Sequence, residues 1–158
     1  MKKPLTAVVM GSDSDYPVMK EAAEALKKFK VPYEVRILSA HRTPNEVAEF
    51  AASARKRGIR VIIAGAGGAA HLPGMIASYT ELPVIGVPVP IGVMQGEDAL
   101  YSIVQMPKGV PVATVAIGNA WNAGILAVQI LGAGSDPLLD EIHHYKEKMR
   151  SEVLGKKL

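Results

Sequence analysis

The chain has 158 residues, enough for one hydrophobic core without covalent staples and too few for a second full domain. With 49% hydrophobic and only 21% charged residues, it is no disordered chain, and a surface so poor in charge suits partial cover by other subunits. A net charge of +3 without a basic cluster interleaved with aromatics argues against nucleic-acid binding, and zero cysteines exclude disulfides, thiolate catalysis and cysteine metal ligands.

The opening MKKPLTAVVM sets an apolar run of about six residues behind two lysines, below the ~7–15 of a secretory signal and the ~20 that span a bilayer. Neither leader nor membrane anchor is expected, and the absence of cysteine suits a cytoplasmic protein. Leu5 to Met10 then reads as a buried strand, and GSDSDY leads into a helix from Pro17 to about Phe29 with Met19, Ala22, Ala23 and Leu26 at helical spacing. Tyr33 to Leu38 is a second strand whose polar alternate positions, Glu34 and Arg36, place it toward a sheet edge. After SAHR, Thr43-Pro44-Asn45-Glu46 reads as a capping box opening a helix that Gly58 stops. Strands follow at Arg60 to Ala64, Val84 to Val87 and Val112 to Ala116, with helices from about Leu72, over Glu97 to Gln105 and over Trp121 to Leu131. This alternation with short links predicts right-handed βαβ units: an α/β fold, a three-layer αβα sandwich around a flavodoxin-like parallel sheet.

Residues 136–154 form an extended C-terminal helix with Leu138, Ile142, Tyr145, Met149 and Val153 on one narrow stripe. Five acidic and five basic residues balance between Asp136 and Leu158, so it is not a basic arm. Such a stripe suits docking on a neighbouring subunit, with packing across its own domain as the alternative. The chain is otherwise one domain over 1–158.

In an open parallel sheet, ligands bind beyond the carboxyl ends of the strands, and the polar and glycine-rich loops here follow strands one to four. Gly11 to Asp15 joins a strand to a helix N-terminus, where free N–H groups and the Ser12 and Ser14 hydroxyls suit a phosphate and Asp15 suits ribose hydroxyls. A plain helix cap by Ser14 or Asp15 is the other reading. Ser39-Ala40-His41-Arg42 offers a guanidinium fork for phosphate and an imidazole able to give and take a proton near neutrality, or else a loop-bracing histidine. Gly65 to Met75 has little side-chain volume and can wall a planar ring with backbone, His71 either taking part or bracing the turn. His41 and His71 lack a third donor within their loops, so no metal site is expected, and His143 and His144 read as surface histidines. The stretch from Pro88 to Gly96 suits closure of the pocket or a subunit contact. A small phosphorylated or otherwise anionic ligand fits these loops.

Together GSDSD, SAHRTP, GAGGAAHLPGM and SIVQMPKGVPVATVAIGNAWNAG resemble the family of N5-carboxyaminoimidazole ribonucleotide mutases, the class I PurE-type proteins of purine biosynthesis, across Val8 to Leu131. The resemblance implies transfer of a carboxylate from the exocyclic nitrogen of an aminoimidazole ribonucleotide to ring carbon four, by decarboxylation and recarboxylation within a closed site. It implies His41 as the proton shuttle. It further implies Ser12, Ser14, Ser39 and Arg42 around the nucleotide and its phosphate, Asp15 on the ribose, and Ala66, Gly67, Gly68, His71 and Leu72 around the imidazole. No cofactor and a homo-octamer with sites near subunit boundaries are implied too.

The nearest rival is the related carboxylase that adds free carbon dioxide to aminoimidazole ribonucleotide, which the same site would serve; SIVQMPKG resembles the mutase branch. A response regulator on the same fold would carry a phosphorylatable aspartate after the third strand, where Ala64-Gly65 stands. A flavin carrier would show aromatic cover in loops that here hold Ser, Asp, His and Arg.

Overall fold

In the computed structural model, which describes residues 3–157, strand and helix alternate from Thr6 onward. Met1, Lys2 and Leu158, at the ends of the domain expected over 1–158, lie outside the described residues. Five parallel strands form one sheet in the order β2-β1-β3-β4-β5. β1 (Thr6–Met10), β3 (Val61–Ala66) and β4 (Val84–Pro88) are buried throughout, as their unbroken apolar runs require of strands covered on both faces. β2 (Tyr33–Ile37) takes one edge, as its alternation predicts, and leaves Ile37 57% exposed.

β5 spans only Ala113–Thr114 where Val112 to Ala116 is expected. Pro111 can donate no ladder bond before it, and the turn into the next helix begins just after it, with Asn119 N–H donating to Ala116 O. The other strands and helices lie within a few residues of their expected bounds.

Side chains alternate across the sheet and bury two separate layers. Val8 and Met10 meet Met19 and Leu26 of α1 (Tyr16–Lys28) and Ala123 and Ala127 of α5 (Ala120–Gly132). Ala7 and Val9 meet Phe50 of α2 (Pro44–Arg57), Ile76 of α3 (Leu72–Tyr79) and Ile103 of α4 (Glu97–Val104). The result is the expected αβα sandwich. Gly58 ends α2 at φ 102°, a left-handed value that an L side chain rarely adopts.

The last helix, α6 (Asp136–Leu154), divides along its stripe. Leu138, Ile142 and Tyr145 join the chain's own α1–α5 core layer, whereas Met149, Val153 and Leu154 are 40%, 63% and 69% exposed. At the other end of the fold, β2 and β3 flank β1 on opposite sides, so the loops after β1 and β3 diverge and open a crevice between them.

Candidate active site

The loop after β1 is organised by its own side chains. Ser12 opens a short 3-10 turn over Asp13–Asp15 as one half of a capping box: its Oγ accepts from Ser14 N–H at 3.3 Å, while its N–H donates to Asp15 Oδ2 at 3.1 Å. The Ser14 hydroxyl donates to Ser12 Oγ at 2.9 Å. Asp15 is thus a cap and a pocket-lining residue at once. It is only 3% exposed, and burial raises its pKa above the ordinary carboxylate value against the opposing pull of the Ser12 and Gly11 N–H groups and the Arg42 guanidinium.

The loop after β2 departs from expectation at Thr43, which makes no side-chain cap bond on α2. Its Oγ1 turns back instead, accepting from Ser39 N–H at 2.9 Å and donating to Ser39 O at 3.1 Å. The hydroxyl that spacing assigns to a capping box therefore braces the tight turn that presents His41 and Arg42. Arg42 ties this turn to the first loop, with Nε donating to Ser39 Oγ at 3.2 Å and Nη2 to Gly11 O at 3.0 Å. A guanidinium so held keeps part of its donor fork free for an anion without losing rotamer freedom on binding.

The loop after β3 brings the second histidine to the first. His41 Nε2 lies 2.7 Å from His71 Nδ1, with the rings edge to face. At this distance one ring nitrogen donates to the other, the direction following the tautomer, so the contact orients both imidazoles. Among the described residues, no group of three or more His, Cys, Asp or Glu is placed to hold a metal ion. His143 and His144 stand exposed on α6.

Ser12, Ser14, Asp15, Ser39, His41, Arg42, Ala66, Gly67, His71 and Leu72 all line one cleft of about 420 Å³, a size suited to a small ligand. Gly68 is not among its lining residues; at φ 64° it makes the turn that carries Ala69 and His71 into place. The Pro88 to Gly96 stretch, expected to close the pocket or meet a subunit, lines the cleft through Ile91, a residue the sequence did not single out. The available signal was its place in an apolar, proline-bearing stretch just beyond a strand that neighbours the switch point. The sheet order divides the cleft: the hydroxyls, Asp15 and Arg42 stand over β1 and β2, and Ala66, Gly67, Leu72 and Ile91 over β3 and β4. The His41–His71 contact crosses between the two halves.

Residues 5–152 match the sequence model of a family described as AIR carboxylase. The N5-carboxyaminoimidazole ribonucleotide mutase of Thermotoga maritima is 61% identical, over 97% of this chain and 90% of that protein. The phosphoribosylaminoimidazole carboxylase of Candida albicans is 58% identical over 98% of this chain, which corresponds to 27% of that longer protein. Among solved structures, the crystal structure of Treponema denticola PurE matches with a TM-score of 0.87 at 29% identity, over 96% of this chain and 94% of that one.

Proposed function

The chain belongs to the AIR carboxylase family, and from that footing we propose how it acts, through which residues and in what assembly. Its activity is that of a mutase of purine biosynthesis: it interconverts N5-carboxyaminoimidazole ribonucleotide and the isomer that carries the carboxylate on ring carbon four. The substrate phosphate takes the polar half of the cleft, against Arg42 and the Ser12, Ser14 and Ser39 hydroxyls, and Asp15 accepts from ribose hydroxyls. The imidazole and the migrating carboxylate take the half built by Ala66, Gly67, His71 and Leu72, with Gly68 shaping that wall from behind.

His41 carries the proton both ways. As the bond from the exocyclic nitrogen to the carboxylate carbon breaks, its electron pair stays on nitrogen, which takes a proton from the His41 imidazolium, and the carbon departs as carbon dioxide. Carbon four of the electron-rich ring then attacks that carbon dioxide, and neutral His41 removes the proton from carbon four to restore the aromatic ring. Atoms and charge balance over the cycle, the histidine ends as it began, and no cofactor enters. Holding carbon dioxide beside its acceptor supplies most of the advantage over a bimolecular encounter.

The observation that carries this assignment is the 2.7 Å contact between His41 and His71 at the seam of the polar and apolar halves. It supports a proton donor fixed beside the place where the ring must lie. The test is conversion of N5-carboxyaminoimidazole ribonucleotide to its carbon-four isomer by purified protein without ATP or added bicarbonate. The parent turns over, and His41→Asn, still folded, loses roughly 10²–10⁴-fold. Bicarbonate-dependent carboxylation of aminoimidazole ribonucleotide by a parent that fails the first assay would select the carboxylase instead.

The working form is a cytoplasmic homo-octamer of single-domain chains, with the sites near subunit boundaries. Exposed Val93, Met94, Val153 and Leu154 support contact with further copies, and the end of α6 reaches a neighbour in this assembly.

A further inference from the structure

We infer that Ile91 determines whether the carboxylate stays with its own substrate molecule: its side chain closes the apolar side of the cleft and retains released carbon dioxide until carbon four takes it up. The inference rests on the mutase reaction proposed above and assigns to that reaction a residue outside the four motifs. A closed site of this kind needs a different wall on each side. Phosphate and ribose are held by donors and acceptors. Carbon dioxide, uncharged and with little to offer a hydrogen-bond donor, is held only by shape and by exclusion of water.

Ile91 stands where such a wall is needed. A Cβ built on Gly67 would fall 2.3 Å from Ile91 Cγ1 and 2.4 Å from its Cδ1, so the branched side chain fills the volume that a residue larger than glycine at 67 would claim. Gly67 and Ile91 thus form one continuous apolar surface, joined in the cleft by Ala66 and Leu72. The root of the Ile91 loop is anchored, with Val89 N–H donating to Ala66 O at 2.9 Å and Gly118 N–H donating to Pro88 O at 2.9 Å. Beyond Ile91 the chain moves outward, and Val93 is 99% exposed. Ile91, itself 40% exposed, stands two residues beyond the anchored Val89 at the edge of the cleft, a position from which one side chain can decide whether a small apolar molecule leaves.

The test follows the carbon atom as well as the rate. Substrate labelled with carbon-13 in its carboxylate is converted in unlabelled bicarbonate buffer, and mass spectrometry measures the label kept in the carbon-four product and the aminoimidazole ribonucleotide set free. The parent keeps its label. Ile91→Ser, with melting temperature near the parent's, still forms product, but label retention falls several-fold and free aminoimidazole ribonucleotide rises to match. Ile91→Leu restores retention. Parental retention in Ile91→Ser, or equal falls in conversion and retention for Ser and Leu alike, would reduce Ile91 to a packing residue and overturn the inference. Should Ile91→Ser fail to fold, Ile91→Val carries the same comparison with a shorter wall and no hydroxyl. A parent that converts nothing defeats the mutase reaction itself, and this inference with it, a result distinct from conversion with lost label.

Discussion

Asp15 puts a carboxyl group at a site that disfavours charge. Its carboxylate is 3% exposed and its pKa is raised, chiefly by burial, so over the window from the ordinary value of 3.8 up to its folded value the native chain binds the proton more readily than the unfolded one. The sign follows. The contribution of Asp15 to stability is most favourable below the ordinary value and declines as pH rises through the folded one. Asp15→Asn keeps an acceptor for Ser12 N–H without the buried charge, so its melting temperature at pH 7 exceeds the parent's, and that advantage shrinks in melts taken toward pH 4. Turnover in the same variant falls, because a neutral amide accepts more weakly from ribose hydroxyls. Residue types and loop positions made Asp15, His41, Arg42 and His71 legible in the sequence. Their pairing was not: His41 and His71 are 30 residues apart and meet only because β2 and β3, which they follow, flank β1 on its two sides. Thr43 was misread for the opposite reason, since local spacing fits a capping box and a turn brace equally well and only the backbone at Ser39 chooses.

At the scale of elements, α1 and α5 approach more closely than any pattern of apolar residues announces. A Cβ on Gly124 would lie 2.6 Å from Ala25 Cβ and 2.9 Å from Ala22 O, and a backbone oxygen within a helix cannot step aside. Gly124→Ala therefore separates the two helices and costs about 1–3 kcal/mol despite the gain in helix propensity, measurable as a lower urea midpoint at unchanged slope. Helices, the central strands and the edge position of β2 were legible because 3.6-residue and two-residue periods write burial directly into the sequence. The length of β5 was not, because an edge strand with a single partner ends where its hydrogen bonds do. Ile91 was legible only as part of the Pro88 to Gly96 stretch, since its contact with Gly67 depends on the register of β3 against β4.

For the whole molecule, the division of α6 separates folding from assembly. Leu138, Ile142 and Tyr145 complete the chain's own core, and Met149, Val153 and Leu154 are left for a neighbour in the proposed octamer. Removing residues 149–158 therefore leaves the far-ultraviolet circular dichroism of a folded αβα domain and lowers the mass in sedimentation velocity. An octameric mass after that truncation would place the contacts elsewhere, with the exposed Val93 and Met94 the next surface to alter.

Tyr145 adds a consequence of its own. Its hydroxyl accepts from Trp121 Nε1–H at 3.2 Å and its ring meets Phe29, the C-cap of α1, edge to face at 5.6 Å, so one tyrosine ties α6 to both α5 and the end of α1. Trp121 is the single tryptophan of the chain. The intrinsic fluorescence of the protein is therefore a one-position signal: its emission senses the seating of α6 on its own subunit, undiluted by any other indole.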